Sequence, residues 1–174
     1  MTKVSLEAFL RTGIFGPFDF GTSREEVERI LGSCEDVIER QEGDSRHDWL
    51  EYPEVVFEFS PIEGGLTGVR LRQSPDEDLG YRPARPKILG GRGQLDPWII
   101  RWGTPRSVVE DVLRVEGLAV WPLESRLPDL VEYIEVGQGG TVLGFDVAGD
   151  FPGLSVIFSE RGPYARPLLR ATPT

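Results

Sequence analysis

The chain has 174 residues, 39% of them hydrophobic and 28% charged, and carries a formal net charge of −10 at pH 7. That balance describes an ordinary globular protein, and so acidic a chain suits neither nucleic acid nor an anionic membrane surface. No apolar run approaches the ~20 residues of a membrane-spanning helix. The single cysteine, Cys34, leaves no internal disulfide to form, and with an opening (MTKVSLEAFLRTG) that has charges inside its apolar stretch, it predicts a cytoplasmic protein.

Ser5 to Arg11 reads as a short helix. Ser5 can cap it, Leu6, Phe9 and Leu10 share a face, and Gly13 can end it. Phe15 to Phe20 alternates with Gly and Pro and reads as a short strand or extended lead-in. Gly21 to Leu31 (GTSREEVERIL) predicts a second helix. Ser23 is its cap, Glu26 completes a capping box, Val27, Ile30 and Leu31 form the inward stripe, and Gly32 stops it. Trp49–Tyr52 and Val55–Phe59 are rich in aromatic and branched residues and predict strands. The turn Glu63-Gly64-Gly65 leads to another strand, Leu66 to Arg72. Alternation places Val55, Phe57 and Phe59 on one face and sets Val69 and Leu71 against Arg70 and Arg72.

The Pro- and Gly-rich stretch from Ser74 to Pro97 reads as a linker. Its last part, residues 81–97, joins a module of residues 1–80 to one of residues 98–174. Gly103 to Leu113 (GTPRSVVEDVL) predicts a third helix, capped by Thr104, with Pro105 in its first turn and Val108, Val109, Val112 and Leu113 facing inward. Leu130–Val136, Thr141–Val147 and Leu154–Phe158 are strands separated by turns at Gly137–Gly140 and Gly149–Gly153. Phe57, Phe59, Phe145 and Phe158 are core by periodicity. From Arg161 onward three prolines predict irregular chain.

The second and third helices carry one pattern twice. Gly21–Leu31 and Gly103–Leu113 start 82 residues apart and agree at six of eleven positions. The expected fold class is therefore α+β: two tandem repeats of a short helical segment followed by an antiparallel sheet meander, with helices on one sheet face. The two halves differ in charge. Residues 1–80 hold 18 acids against 8 bases, whereas residues 81–174 hold 11 of each. Nine of the acids fall between Glu35 and Glu58. Such a surface attracts a basic protein, although the same charges also serve as a solvated face.

Chemistry is sparse. His47 is the only histidine, it lies among loop-type carboxylates, and no metal-ligand spacing surrounds it. Cys34 follows a helix end, where nothing lowers its pKa. No Ser/His/Asp set or nucleophile elbow exists. Gly137-Gln138-Gly139-Gly140 is followed by a strand pattern, against a phosphate cradle, and Gly90-Gly91-Arg92-Gly93 is no stronger. No catalytic residue, metal ligand or cofactor is expected. The aromatic residues are the better lead. Trp49, Tyr52, Trp98, Trp102, Trp121 and Tyr133 gather around strands and helix starts. Trp49, Tyr52 and Trp121 sit in polar surroundings suited to interface anchors. With Asp44, Asp48, Glu51 and Glu54 they make up the expected partner-binding set.

The helix from Gly21 to Gly32, the strand Trp49–Tyr52 and the Phe57–Phe59 strand, with Gly103–Leu113 repeating the first, resemble two families. One is the small lipoprotein family of the outer-membrane β-barrel assembly machine, and the other is the β-lactamase inhibitor protein family of actinobacteria, itself a tandem of helix-plus-sheet modules. The opening LEAFLRTG followed by FGP, then Gly21 with Ser23-Arg24-Glu25-Glu26-Val27, is similar to actinobacterial proteins of immunity or inhibitor type. The chain lacks the lipoprotein's lipidated cysteine and the inhibitor's disulfides, so the resemblance implies a fold above all. Together with the charge split it implies a protein-binding inhibitor or immunity protein that masks a basic site on another protein. The competing expectation is a small-ligand-binding or enzymatic module with a pocket between two sheets.

Overall fold

The computed structural model describes residues 2–42, 45–60, 64–72, 87–89, 92–96, 98–148 and 152–160. The first strand, β1 (Thr2–Ser5), leads directly into helix α1 (Leu6–Thr12). The Ser5 hydroxyl accepts from the Ala8 N–H, and Gly13 closes the helix at φ 73°. Phe15–Phe20 is not a strand. Gly16, at φ 63°, turns the chain so that Phe15 and Phe18 bridge each other and both enter the core. Helix α2 (Arg24–Leu31) is capped by Ser23, which accepts from the Glu26 N–H. The reciprocal arm of a capping box does not form, because the Glu26 carboxylate is taken up by Arg29 at 2.9 Å.

Four antiparallel strands follow: β2 (Asp36–Glu42), β3 (Ser45–Tyr52), β4 (Val55–Phe59) and β5 (Leu66–Arg72). The stretch expected to be a linker contains two strands, β6 (Lys87–Leu89) and β7 (Gly93–Asp96). β7 pairs with β1 in parallel and with β6 antiparallel, forming a small three-stranded sheet. Their shortness and flanking Gly and Pro hid them from the sequence pattern.

Helix α3 (Arg106–Val115) begins one residue later than expected. Pro105 sits at its N-cap, and no side chain caps it. Thr104 lies one residue before that position, and its carbonyl accepts from the Leu154 N–H at 2.9 Å. Val109 and Leu113 are buried, but Val108 is 49% exposed, a correction to the inward stripe. Arg106 binds Glu110 (2.6 Å) and Glu132 (3.0 Å). Burial alone would lower the Arg106 pKa. The two carboxylates outweigh it and hold the guanidinium above its ordinary value.

The remaining strands are β8 (Val120–Leu123), β9 (Val131–Val136), β10 (Thr141–Asp146) and β11 (Gly153–Glu160). Both meanders belong to one eight-stranded sheet in the order β2-β3-β4-β5-β11-β10-β9-β8. β5 and β11 would each be an open edge alone, and they satisfy each other by antiparallel pairing from Gly68↔Glu160 to Arg72↔Val156. The two sheets of the second functional expectation are thus one at this seam. All three helices and β1 bury their apolar residues against the same sheet face. Leu6, Phe9, Leu10, Val27, Leu31, Val109, Leu113 and Val4 share one core with Leu50, Tyr52, Phe57, Ile134, Leu143 and Phe145. An α+β architecture results, with the helices on one side.

The glycine turn between β9 and β10 is a packing element. Thr141 at its end donates its hydroxyl to the Phe9 carbonyl (3.0 Å), and Gly139 lies against the backbone of Thr12 and Gly13. Two further backbone pairs fasten helix starts to strand starts. The Gly21 N–H donates to the Leu66 carbonyl and the Leu66 N–H to the Thr22 carbonyl, both at 2.8 Å. The Gly103 N–H donates to the Leu154 carbonyl, and the Leu154 N–H to the Thr104 carbonyl, both at 2.9 Å.

Tyr52 is fully buried, and its hydroxyl donates to the Gly32 carbonyl at 2.9 Å. Burial first, then neighbouring Cys34 and Glu28, push its phenol above the ordinary 10.0. The unfolded chain therefore releases this proton at a lower pH than the folded one, and the stability associated with it falls as pH rises past about 10. Tyr52→Phe is expected to lose about 1 kcal/mol at neutral pH and to show a shallower alkaline decline. Urea midpoints measured across that range check both effects.

Candidate functional site

Because side chains alternate along a strand, the sheet has a second face turned away from the helices. In β3, Leu50 and Tyr52 enter the core while Trp49 and Glu51 point outward. In β4, Val55 and Phe57 enter, while Val56 and Glu58 do not. In β5, Val69 and Leu71 are buried opposite Arg70 and Arg72. Cross-strand register then joins one residue from every strand into a single row: Asp36–Glu51–Val56–Arg70–Phe158–Val142–Glu135–Trp121. A neighbouring row runs Ile38–Trp49–Glu58–Gly68–Glu160, and another Arg72–Val156–Gly144–Tyr133–Leu123.

Arg70 lies at the centre of this face. Its guanidinium carbon is 5.6 Å from the Trp49 ring centroid and 5.7 Å from that of Phe158, within cation–π range of both, and its Nη2 binds Glu160 at 3.1 Å. Tyr133 continues the line, edge-on to Phe158 at 6.3 Å between centroids, with its ring lying over the bare backbone of Gly144. Trp49, Arg70, Phe158 and Tyr133 thereby form one continuous ridge, all four half-buried. Beside it Arg72 grips Glu51 through two nitrogens, at 2.9 and 3.5 Å. Among the described side chains the face carries Asp36, Glu51, Glu58, Glu135, Asp146 and Glu160 against Arg70 and Arg72, an excess of carboxylates.

The expected partner-binding residues are divided by this geometry. Trp49, Glu51 and Trp121 share the outer face. Tyr52 does not, and its ring packs 5.8 Å from Phe57 inside the core, so it is no interface anchor. Asp48 lies in register with Phe59, on the opposite side from Trp49. Glu54 occupies the turn between β3 and β4, where its carbonyl accepts from the Arg72 N–H (3.1 Å). Glu51 is committed to Arg72 and is not a free steering charge. Asp44 lies outside the described residues. Cys34 is half-buried with its thiol 3.9 Å from Glu28; burial first, then Glu28, push it up, consistent with an unreactive thiol.

Comparison with known proteins found no match: no family model, no curated protein and no solved structure matches this chain. Among the described residues no helix is long and apolar enough to cross a membrane, and no three His, Cys, Asp or Glu residues are grouped to hold a metal ion.

Sequence periodicity missed the central residues of the ridge. It placed Phe158 in the core by counting alternately from Leu154, but β11 carries one extra residue, Ser155, where the register shifts opposite Gly144 and Phe145. The Ser155 hydroxyl donates to the Gly144 carbonyl at 3.3 Å. β5 has the same device at Thr67, whose hydroxyl donates to the Glu58 carbonyl at 3.2 Å. Beyond the bulge the parity inverts, so Phe158 faces outward and Ser159 faces the core. Ser159 is fully buried, and its hydroxyl has no hydrogen-bond partner among the described residues. A buried unsatisfied hydroxyl is unfavourable, so Ser159→Ala is expected to stabilise the chain by about 1 kcal/mol. A lower urea midpoint for the variant would contradict that.

Proposed function

We propose that this chain is a protein-binding module of inhibitor or immunity type that covers a basic site on a partner with the outer face of its eight-stranded sheet. The observation that carries this reading is the Trp49–Arg70–Phe158–Tyr133 ridge. Trp, Tyr and Arg are the residue types that dominate binding energy at protein interfaces, and here they lie together at the middle of a half-exposed sheet face. The surrounding acids suit a basic partner and would speed its approach. The lone half-buried Cys34 fits a reducing, cytoplasmic setting.

We also infer that the two halves are copies of one module, as in the tandem inhibitors the sequence resembles. Several observations support this beyond the repeated helix. Gly21-Thr22 and Gly103-Thr104 make the same pair of bonds to Leu66 and Leu154. Thr67 and Ser155 mark the same bulge. Counting outward from the Arg70–Phe158 pair, Glu51 answers Glu135, Val56 answers Val142, and Trp49 answers Tyr133. Arg70 and Phe158 then occupy the pseudo-twofold axis, and their difference breaks the symmetry at the centre of the face.

The test is affinity capture from the native organism with three forms of the chain: unaltered, Trp49→Ala, and Val115→Ser on the exposed side of α3. A protein retained by the unaltered and Val115→Ser forms but lost from Trp49→Ala is the expected result. Equal retention by all three would exclude the sheet face as the binding surface.

A further inference from the structure

We propose that the partner adds an extended basic segment as a further strand along β2, the acidic edge of the eight-stranded sheet. The proposal rests on the partner being basic and names the element it contributes. β2 and β8 are the two outermost strands, and among the described residues no strand pairs with the far side of either. Such an edge offers backbone groups to any extended chain, and proteins blunt it with short strands, proline or charge. β8 is blunted. It has four residues, and Pro122 is the third of them. A proline fits a ladder only where its missing N–H would point away from the neighbouring strand. Register identifies the same position on β2. Pro122 lies opposite Ile134, between the partners of Tyr133 and Glu135. Val37 lies opposite Leu50, between the partners of Trp49 and Glu51. Val37 is therefore the counterpart of Pro122, and its N–H points off the sheet.

β2 keeps the donor that β8 has lost, and it is longer, with seven residues in unbroken register from Asp36↔Glu51 to Glu42↔Ser45. The Val37 N–H is met by the carboxylate of its exposed neighbour Asp36, whose Oδ1 accepts at 2.8 Å. An incoming backbone carbonyl replaces that oxygen, and the displaced carboxylate then faces whatever charge the new strand carries. Charge selects the occupant. The strand reads DVIERQE, three acids against one base, and Glu35 precedes it. A second copy would set this row against itself and join two halves that each hold 18 acids against 8 bases. The acids of β2 thus deter a like strand, but they attract a basic one, since opposite charges on neighbouring strands stabilise a pairing. Alternation fixes the pattern such a strand needs. Cations on the outer face lie beside Asp36, and branched residues on the helix face lie beside Val37, which is 40% exposed.

The probe is an octapeptide of alternating Arg and Thr, added to the full chain, with its Glu and Thr counterpart as control. The first readout is backbone amide exchange by NMR. At saturating basic peptide the Val37 amide should exchange at least about tenfold more slowly, while the amide of Val120 on β8 is unchanged and the acidic peptide has no effect. The second uses Val37→Pro, which carries the β8 solution over to β2. The variant should fold, because proline removes no ladder bond at this position, and it should bind the basic peptide about tenfold more weakly. Unchanged Val37 exchange, equal binding by Val37→Pro or equal binding of the acidic peptide would each overturn the proposal. So would a dimer of the chain alone that Val37→Pro abolishes, since the edge would then belong to a second copy. None of these readouts involves the captured partner. Failure here with capture lost from Trp49→Ala removes only the added strand, whereas capture indifferent to Trp49→Ala removes the sheet face and leaves the edge standing.

Discussion

Replacing Gly139 by alanine is expected to destabilise the fold by about 3 kcal/mol or more, the upper range for forced overpacking. A Cβ at this position would fall within the atoms of Gly13 N and of the Thr12 carbonyl group. Both are backbone, and neither can move aside as a flexible side chain would. The turn would have to lift from the end of α1, taking with it the buried Thr141–Phe9 bond that ties the β9–β10 hairpin to the first helix. For a chain of this length such a loss lowers the melting temperature by roughly 6–12 °C. Gly140, next in sequence, is an internal control. It stands at φ 70° with only the Glu135 carboxylate near, at 3.9 Å, so alanine there meets backbone strain alone, about 1 kcal/mol. Thermal melts of the two variants separate close approach from conformational preference.

Trp49→Ala should weaken binding of the captured partner by at least about thirtyfold, as truncation of a central interface aromatic does. Its effect on the fold should be far smaller, because Trp49 is half-exposed and a cation–π contact such as that with Arg70 contributes about 0.5–1 kcal/mol. Titration calorimetry of the partner against both forms measures the first effect, and urea unfolding the second. Substituting the exposed rim acid Asp36 by Asn should instead slow association at low salt and leave dissociation nearly unchanged, because exposed charges act mainly on encounter. A Trp49→Ala form that binds as well as the unaltered chain would sink the sheet-face assignment.

Helices were the most legible elements, since Ser5, Gly13, Ser23 and Gly32 carry explicit start and stop chemistry. Strands were legible where alternation was uninterrupted, as in β4, and in β5 Val69 and Leu71 fall opposite Arg70 and Arg72 as expected. Legibility failed at the bulges. One extra residue, Ser155, inverts everything after it, and no local signal distinguishes a bulged serine from a pleated one. It also failed for β1, β6 and β7, because a three- or four-residue strand is stabilised by its partners, which for β1 and β7 lie some 90 positions apart, rather than by its own composition. The ridge was half visible. Trp49 stood out as an aromatic among polar residues, while Arg70 read only as the polar side of a strand. What makes them one feature is a cross-strand row, and register is a tertiary property.

The seam between β5 and β11 bears on how the molecule is made. β5 is complete at Arg72, but its partner strand ends only at Glu160. At about 5–20 residues per second of synthesis, the first half waits roughly 4–18 s with a finished hydrophobic strand exposed along one side. Its neighbours on a polysome are other nascent copies with the same unpaired strand, and a β5-to-β5 pairing between them is the evident misfolding hazard. The arginines at 70 and 72, set directly on that strand, place like charges along any such encounter. The same arginines that lie on the outer face of the finished sheet thus guard the half-made protein.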